Sequence, residues 1–196
     1  MKTLLDIGCG KDKHLIEEAE VIGVDMDPDS DADVIHDLNQ IPWPFDANEF
    51  DEVICQDILE HLDNILPAMQ EINRISRQGS TIKIRTPHYS SYYAYNDPSH
   101  KHRFGYYAFD RFCHMGFRVI RKEILFPRIW RISGLSAYFN RFPRRWEQLF
   151  AFIIRAENMY IELENVGSPT ARKEGKINVG SPTTRKEGKI SDRENA

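Results

Sequence analysis

TLLDIGCG, residues 3–10, is the stretch on which the reading of this chain turns. Leu4, Leu5 and Ile7 make an apolar run of strand length around Asp6, and Gly8 and Gly10 follow at once. The pattern predicts a buried strand and a tight turn, then a short helix over 14–20 with Leu15, Ile16 and Ala19 on one side. Glycines in such a turn adopt positive φ without steric cost and let the backbone approach a ligand, and the helix start beyond them offers unpaired N–H groups. A nucleotide-like cofactor is the natural occupant. The G-x-G spacing alone does not say which one, because Lys13 stands where the dinucleotide fingerprint has its third glycine.

Working outward, residues 21–24 form a second buried strand that ends at Asp25, where a Rossmann-like site binds ribose hydroxyls. Residues 33–36 make a brief third strand, followed by Asp37 and Leu38. FDEVIC (50–55) is the fourth strand, and Gln56 and Asp57 lead into a helix over 58–76 whose apolar residues keep helical spacing. Pro67 is expected to interrupt or kink that helix, and Gln78-Gly79 to end it. TIKIRT (81–86) alternates as a fifth strand should; a helix over 104–115 stops at Gly116, and residues 117–125 and 157–164 read as two further strands. Strands alternating with helices argue for a doubly wound α/β sheet.

The chain has 196 residues, 41% of them hydrophobic, which suits one domain plus a tail. Cys9, Cys55 and Cys113 are odd in number and lack any C-x-x-C pattern, so a disulfide framework or zinc ribbon is not expected. No signal-peptide pattern and no membrane-spanning run is present, and a cytoplasmic location is expected. The net charge of -4 hides an asymmetry: residues 1–71 hold 19 acidic and 3 basic side chains, residues 72–164 hold 7 acidic and 16 basic. The acidic half would repel nucleic acid; either the two halves attract one another across a single domain, or the basic half faces an anionic substrate or surface.

In that order and spacing, LLDIGCG, VIGVDMDP, HDLNQIPWPFDANEFDEVICQDILEHL and INRISRQGSTIKIRTP resemble the class I S-adenosylmethionine-dependent methyltransferases, specifically the small type 11 group, over residues 3–166. The resemblance implies a Rossmann-like sheet of seven mostly parallel strands, the last antiparallel, with S-adenosyl-L-methionine as cofactor. It also implies site roles. Asp6 with Gly8, Cys9 and Gly10 would hold the methionine part, Asp25 and Met26 the ribose side, Asp37 and Leu38 the adenine, and Gln56, Asp57 and Leu59 the far wall. A cofactor with an ammonium and a sulfonium suits this acid-rich half, whereas the pyrophosphate of NAD would be repelled by Asp12, Asp25, Asp27 and Asp29.

The loop after the fifth strand, PHYSSYYAYNDPSHKHRFGYYAFD (87–110), sits where an open α/β sheet binds its ligand. His88 or His100 is a candidate general base for a substrate hydroxyl, and Tyr89, Tyr92, Asp97 and His102 are candidate substrate contacts. Two other readings stand beside this one: the histidines serve only the loop's structure, or His88, Asp97, His100 and His102 ligate a metal. The second is a loose pattern, and no metal is expected.

Residues 126–156 interleave arginines with aromatics; a lid packed on the loop is favoured over a segment lying on an anionic membrane. NVGSPTARKEGKI from Asn165 is repeated as NVGSPTTRKEGKI from Asn178, a unit too poor in large apolar side chains to fold alone, so a disordered tail over 167–196 is expected. The reading is a methyltransferase acting by in-line displacement on a small-molecule or glycan acceptor. Its rival is a non-catalytic S-adenosylmethionine-binding or interaction protein on the same fold.

Overall fold

The computed structural model describes residues 1–167; from residue 168 onward the expected disordered tail lies outside the described residues. The sheet runs β3-β2-β1-β4-β5-β7-β6. Its parallel part comprises β1 (Lys2–Ile7), β2 (Ala19–Asp25), β3 (Val34–Ile35), β4 (Phe50–Gln56) and β5 (Ser76–Pro87). β7 (Asn158–Asn165) lies antiparallel between β5 and β6 (Phe117–Leu125). Seven mostly parallel strands with the last one reversed is the expected Rossmann-like architecture.

Alternation along the strands sorts the two faces. Leu5, Ile7, Val53, Cys55, Ile82, Ile84, Ile161 and Leu163 point into the main core, where Met69, Ile72 and Ile75 meet them from the helix α1 (Ile65–Ile75). The opposite face carries Asp6, Glu52, Lys83 and Glu162 at the intervening positions, with Lys2 and Lys83 paired to the Glu52 carboxylate.

No helix forms over 14–20: the β1 to β2 connection is turn and coil, with Leu15 and Ile16 exposed. So short a segment cannot stabilise a helix without a buried stripe, and the Asp6 carboxylate captures the His14 N–H at 2.9 Å, holding the chain against the sheet instead. The expected helix over 58–76 is likewise shorter. Residues Leu59–His61 make one 3₁₀ turn, and α1 starts at Ile65, where the Asn64 side chain accepts from the Leu66 N–H at 3.1 Å. Pro67 therefore sits in the first turn, where its missing N–H has no intrahelical acceptor to lose, and it does not kink the helix. Gln78-Gly79 does not end the helix either. β5 starts at Ser76, and residues 77–80 bulge away from β4 before Thr81 restores the pairing.

Over 104–115 only Ala108–Met115 is helical, as a 3₁₀ segment that stops at Gly116 with φ +95°. Between β6 and β7 lie three short helices, α3 (Arg128–Ile132), α4 (Leu135–Arg141) and α5 (Pro143–Leu149). They enclose a second, smaller core of Ile124, Phe126, Phe139, Trp146, Ala151 and Ala156, against which Tyr89 and Tyr106 of the 87–110 loop pack.

Candidate functional site

The carboxyl ends of β1, β2 and β4 converge, and the glycine turn lies across them. Gly8 and Gly10 have φ of +69° and +56°, the left-handed backbone that other residues adopt only at a cost. The Gly8 N–H donates to the Val24 carbonyl at 2.8 Å, and a Cβ added to Gly8 would stand 2.6 Å from the Ile58 side chain. Asp25 ends β2 with its carboxylate accepting from the N–H groups of Gly10 and Asp27, both at 2.9 Å, which fixes it beside the turn. Gly8, Asp25, Met26, Asp37, Leu38, Ile58, His61 and Leu62 line a slot of about 70 Å³ here. Hydrogen bonds led by the Asn39 backbone N–H hold the Asp37 carboxyl below the usual range.

These residues fit the cofactor that the sequence implies. The Asp25 carboxylate keeps lone pairs for a ribose diol, and Met26, Leu38, Ile58 and Leu62 make apolar walls for a flat base. Asp6 is 2% exposed at the end of β1, with His14 N and Nδ1 both 2.9 Å from its Oδ2. Burial, with Asp6 and Asp25 close by, pushes the Cys9 thiol up to about 11, so Cys9 stays a neutral thiol in the turn. Gln56 is exposed at the end of β4. Leu59 is fully buried in the main core, so its side chain serves packing.

Beside the slot opens a larger cavity of about 520 Å³, and His61 lines both. Its walls include Asp57, Glu60, Arg85, Tyr93, Asp97 and His100. Asp57, held at φ +52°, pairs with Arg85. Glu60 is 1% exposed; Thr86 Oγ1 donates to its Oε2 at 3.1 Å, and its backbone carbonyl accepts from the N–H groups of Lys101 and His102 at 2.8 and 3.1 Å. This one residue thereby fastens the 87–110 loop over the end of β4. Burial, reinforced by the charge of Asp57, pushes the Glu60 carboxyl up to about 7.

The rings of His61 and His100 meet edge to face, 4.6 Å between centroids. Burial first, and His100 second, lower the pKa of His61. Ser99 gives its hydroxyl proton to Asp97, so its Oγ accepts from His61 Nδ1 at 3.0 Å. One polar atom each of Glu60, His61 and His100 lies within 4.8 Å of the others. Glu60 Oε1, His100 Nδ1, Asp57 Oδ1 and Arg85 Nε are buried in this wall with no hydrogen-bond partner among the described residues.

The sequence candidates are divided by this geometry. His100 and Asp97 reach the cavity, with His100 Nε2 3.9 Å from Asp97 Oδ2. Tyr92 lines an adjoining cavity of about 310 Å³ together with Tyr95, Asn96, Phe152 and Arg155. His102 stacks on Phe104 outside both.

His88 is fully buried beneath α5: the Ser90 N–H donates to its Nδ1 at 3.1 Å, which leaves the proton on Nε2, directed at Glu147 Oε1 at 3.1 Å. Both ring nitrogens are engaged, so no lone pair is free for a substrate proton. Burial works against the Glu147 carboxylate, but the bonds from His88 and the Tyr106 N–H outweigh it and lower its pKa. Tyr89 joins the same cluster, its hydroxyl donating to the Glu147 carbonyl at 3.2 Å.

The four residues offered as metal ligands do not converge; only His100 belongs to the group around Glu60. Sequence reasoning missed Glu60, His61 and Arg85. The first two were absorbed into a helix that does not form, although an acid and a histidine just past the end of a parallel strand were the available signal.

The profile of a family described as a methyltransferase domain matches residues 1–126. No functionally curated protein matches the chain. Among solved structures it is similar to a SAM-dependent methyltransferase from Archaeoglobus fulgidus, with 21% identity over 83% of this chain and 86% of that one and a TM-score of 0.65. A SAM-dependent methyltransferase from Mesorhizobium loti is similar at 15% identity over 83% and 90%, TM-score 0.57. So is a chain of the Haloferax volcanii complex that contains the Trm112 methyltransferase activator, at 16% identity over 84% and 82%, TM-score 0.58. At these identities the likeness is one of fold.

Proposed function

From the chain's membership of the methyltransferase-domain family, whose profile spans residues 1–126, we propose that it methylates a hydroxyl of a small-molecule or glycan acceptor held in the 520 Å³ cavity, with His100 as general base. S-adenosylmethionine is the cofactor of the family, and when bound it supplies a methyl group made electrophilic by its sulfonium. The observation that carries the reading is the gathering of Asp57, Glu60, Arg85 and His100 around one cavity that abuts the cofactor slot through His61. Each of these residues also keeps one buried polar atom with no hydrogen-bond partner among the described residues, at a cost in stability.

Asp97 Oδ2 stands 3.9 Å from His100 Nε2, close enough to favour the charge that the ring gains with a proton. Cofactor in the adjoining slot would supply the methyl group, and the His100 ring would take up the proton that the acceptor hydroxyl gives up. Alignment supplies much of the rate, and the base adds to it. The acidic wall of Asp57, Glu60 and Asp97 makes a polyanionic acceptor such as nucleic acid a poor occupant.

The test is release of S-adenosylhomocysteine across a panel of hydroxyl-bearing small molecules and oligosaccharides, with calorimetric titration of S-adenosylmethionine alongside. His100→Ala should lower kcat by about 10²-fold or more while cofactor affinity holds. His88→Ala should instead lower the unfolding midpoint, because it strands the buried Glu147 carboxylate. Turnover of His100→Ala at the unaltered rate rejects the base, and cofactor binding without turnover on any acceptor favours a non-catalytic binder.

A further inference from the structure

Residues 127–155 carry six arginines, Arg128, Arg131, Arg141, Arg144, Arg145 and Arg155, and a single acid, Glu147. All six arginines are exposed, and among the described residues none of them makes an ion pair. Glu147 cannot offset them, because its carboxylate is turned inward on His88 and the Tyr106 N–H. The outward charge of the segment is therefore wholly positive, in contrast with the acidic first half of the chain.

The same segment exposes large apolar side chains that its own core leaves uncovered. Ile129, Ile132, Leu149, Phe152 and Ile153 are each between 65% and 77% exposed. Phe142 lies between two of the cations, with the guanidinium carbons of Arg141 and Arg145 at 5.7 and 5.9 Å from its ring centroid. Apolar surface of this extent beside unpaired cations marks an interaction site.

We propose that this segment docks on an anionic lipid bilayer, its arginines against headgroup phosphates and its isoleucine, leucine and phenylalanine side chains in the acyl boundary. Charge complementarity selects this occupant. A nucleic acid would take the arginines and leave the exposed isoleucines and Leu149 unused, whereas the interfacial layer of a bilayer accepts both kinds of side chain. No helix among the described residues is long and apolar enough to cross a membrane, so the contact is peripheral.

Phe152 and Arg155 also line the 310 Å³ cavity, which shares Asn96 with the acceptor cavity. Docking thus brings the approach to the acceptor cavity to the headgroup layer. That last consequence rests on the proposed acceptor site; the docking itself does not.

The experiment is sedimentation of the full chain with vesicles of equimolar phosphatidylglycerol and phosphatidylcholine, or of phosphatidylcholine alone, at low and high salt. Binding to the anionic vesicles, weakened by salt and absent from the neutral ones, is expected. Arg144→Gln with Arg145→Gln should weaken it roughly 25-fold, at about fivefold per arginine. Ile132→Ser with Ile153→Ser should weaken it at high salt as well as low.

All four positions are exposed, so unfolding midpoints should not move, and a variant that does unfold early is replaced by Arg128→Gln with Arg131→Gln. Equal binding to both vesicle types, or none to the anionic ones at low salt, overturns the proposal. So does a dimer of the unaltered chain that the same substitutions convert to monomer without any vesicle binding. Vesicle binding requires no turnover, so its failure leaves the methyl-transfer reading standing, and the reverse also holds.

Discussion

Glu60 shows how one buried side chain can join a site together and strain it. Its carbonyl holds Lys101 and His102, its Oε2 takes the Thr86 hydroxyl, and its Oε1 has no partner among the described residues. Burial raises its carboxyl from 4.5 in the unfolded chain to about 7 in the folded one. A carboxyl raised in this way contributes stability that is fully present below about pH 4.5 and is lost as pH rises through about 7. Glu60→Gln removes that titration. The variant should equal the unaltered protein near pH 4 and exceed it at pH 8 by roughly 3 kcal/mol, read from denaturant midpoints at the two pH values. A constant difference across that range would show that Glu60 does not titrate in it. The sequence offered His88 and His100 as equals, and nothing in their spacing separates them. What separates them is that Ser90 and Glu147 use both nitrogens of His88, while Nδ1 of His100 is left without a partner.

Among the elements, α1 shows most clearly where periodicity misleads. The apolar spacing over 58–76 is continuous, yet the helix occupies only Ile65–Ile75, because Asn64 supplies a cap and Pro67 suits a first turn. Asn64→Ala should cost about 1 kcal/mol of unfolding free energy. Pro67→Ala should change it by less than about 1 kcal/mol, where a proline inside a helix would cost about 3. A large gain from Pro67→Ala would mean that the helix begins earlier. Freed from the helix, residues 59–61 turn Glu60 and His61 to the cavity that His100 also lines. The missing helix over 14–20 has a similar origin, since the reach of Asp6 to His14 is a contact between elements and leaves no trace in hydrophobic spacing.

At the scale of the molecule, stability among the described residues is divided between two cores of unequal size. The main cluster gathers 24 buried residues from strands, α1 and the 3₁₀ segment, and the cluster under α3 to α5 gathers six. Local opening should therefore start in residues 127–155, which hydrogen exchange would report as low protection there against high protection in β1, β4 and β5. Trp146→Ala should lower protection across α3 to α5 and leave those strands unchanged. Loss of protection in both at once would show a single cooperative unit. A basic segment built on the smaller core is also the part best placed to respond to a charged surface.

By itself, the sequence determined the sheet, the glycine turn, the acids at the ends of β1 and β2 and the cationic character of 126–156. Each of these depends on residues that are neighbours in the chain, through period-two burial, positive φ and net charge. Only the tertiary structure decided which histidine faces the cavity, that Glu60 and His61 belong with it, and that Glu147 is turned away from the arginines around it. Those facts rest on residues 38 to 59 positions apart coming within hydrogen-bond distance, as in Ser99 to His61 and His88 to Glu147. Burial of that kind sets a group's partners and its charge, and it exists only once the chain has closed on itself.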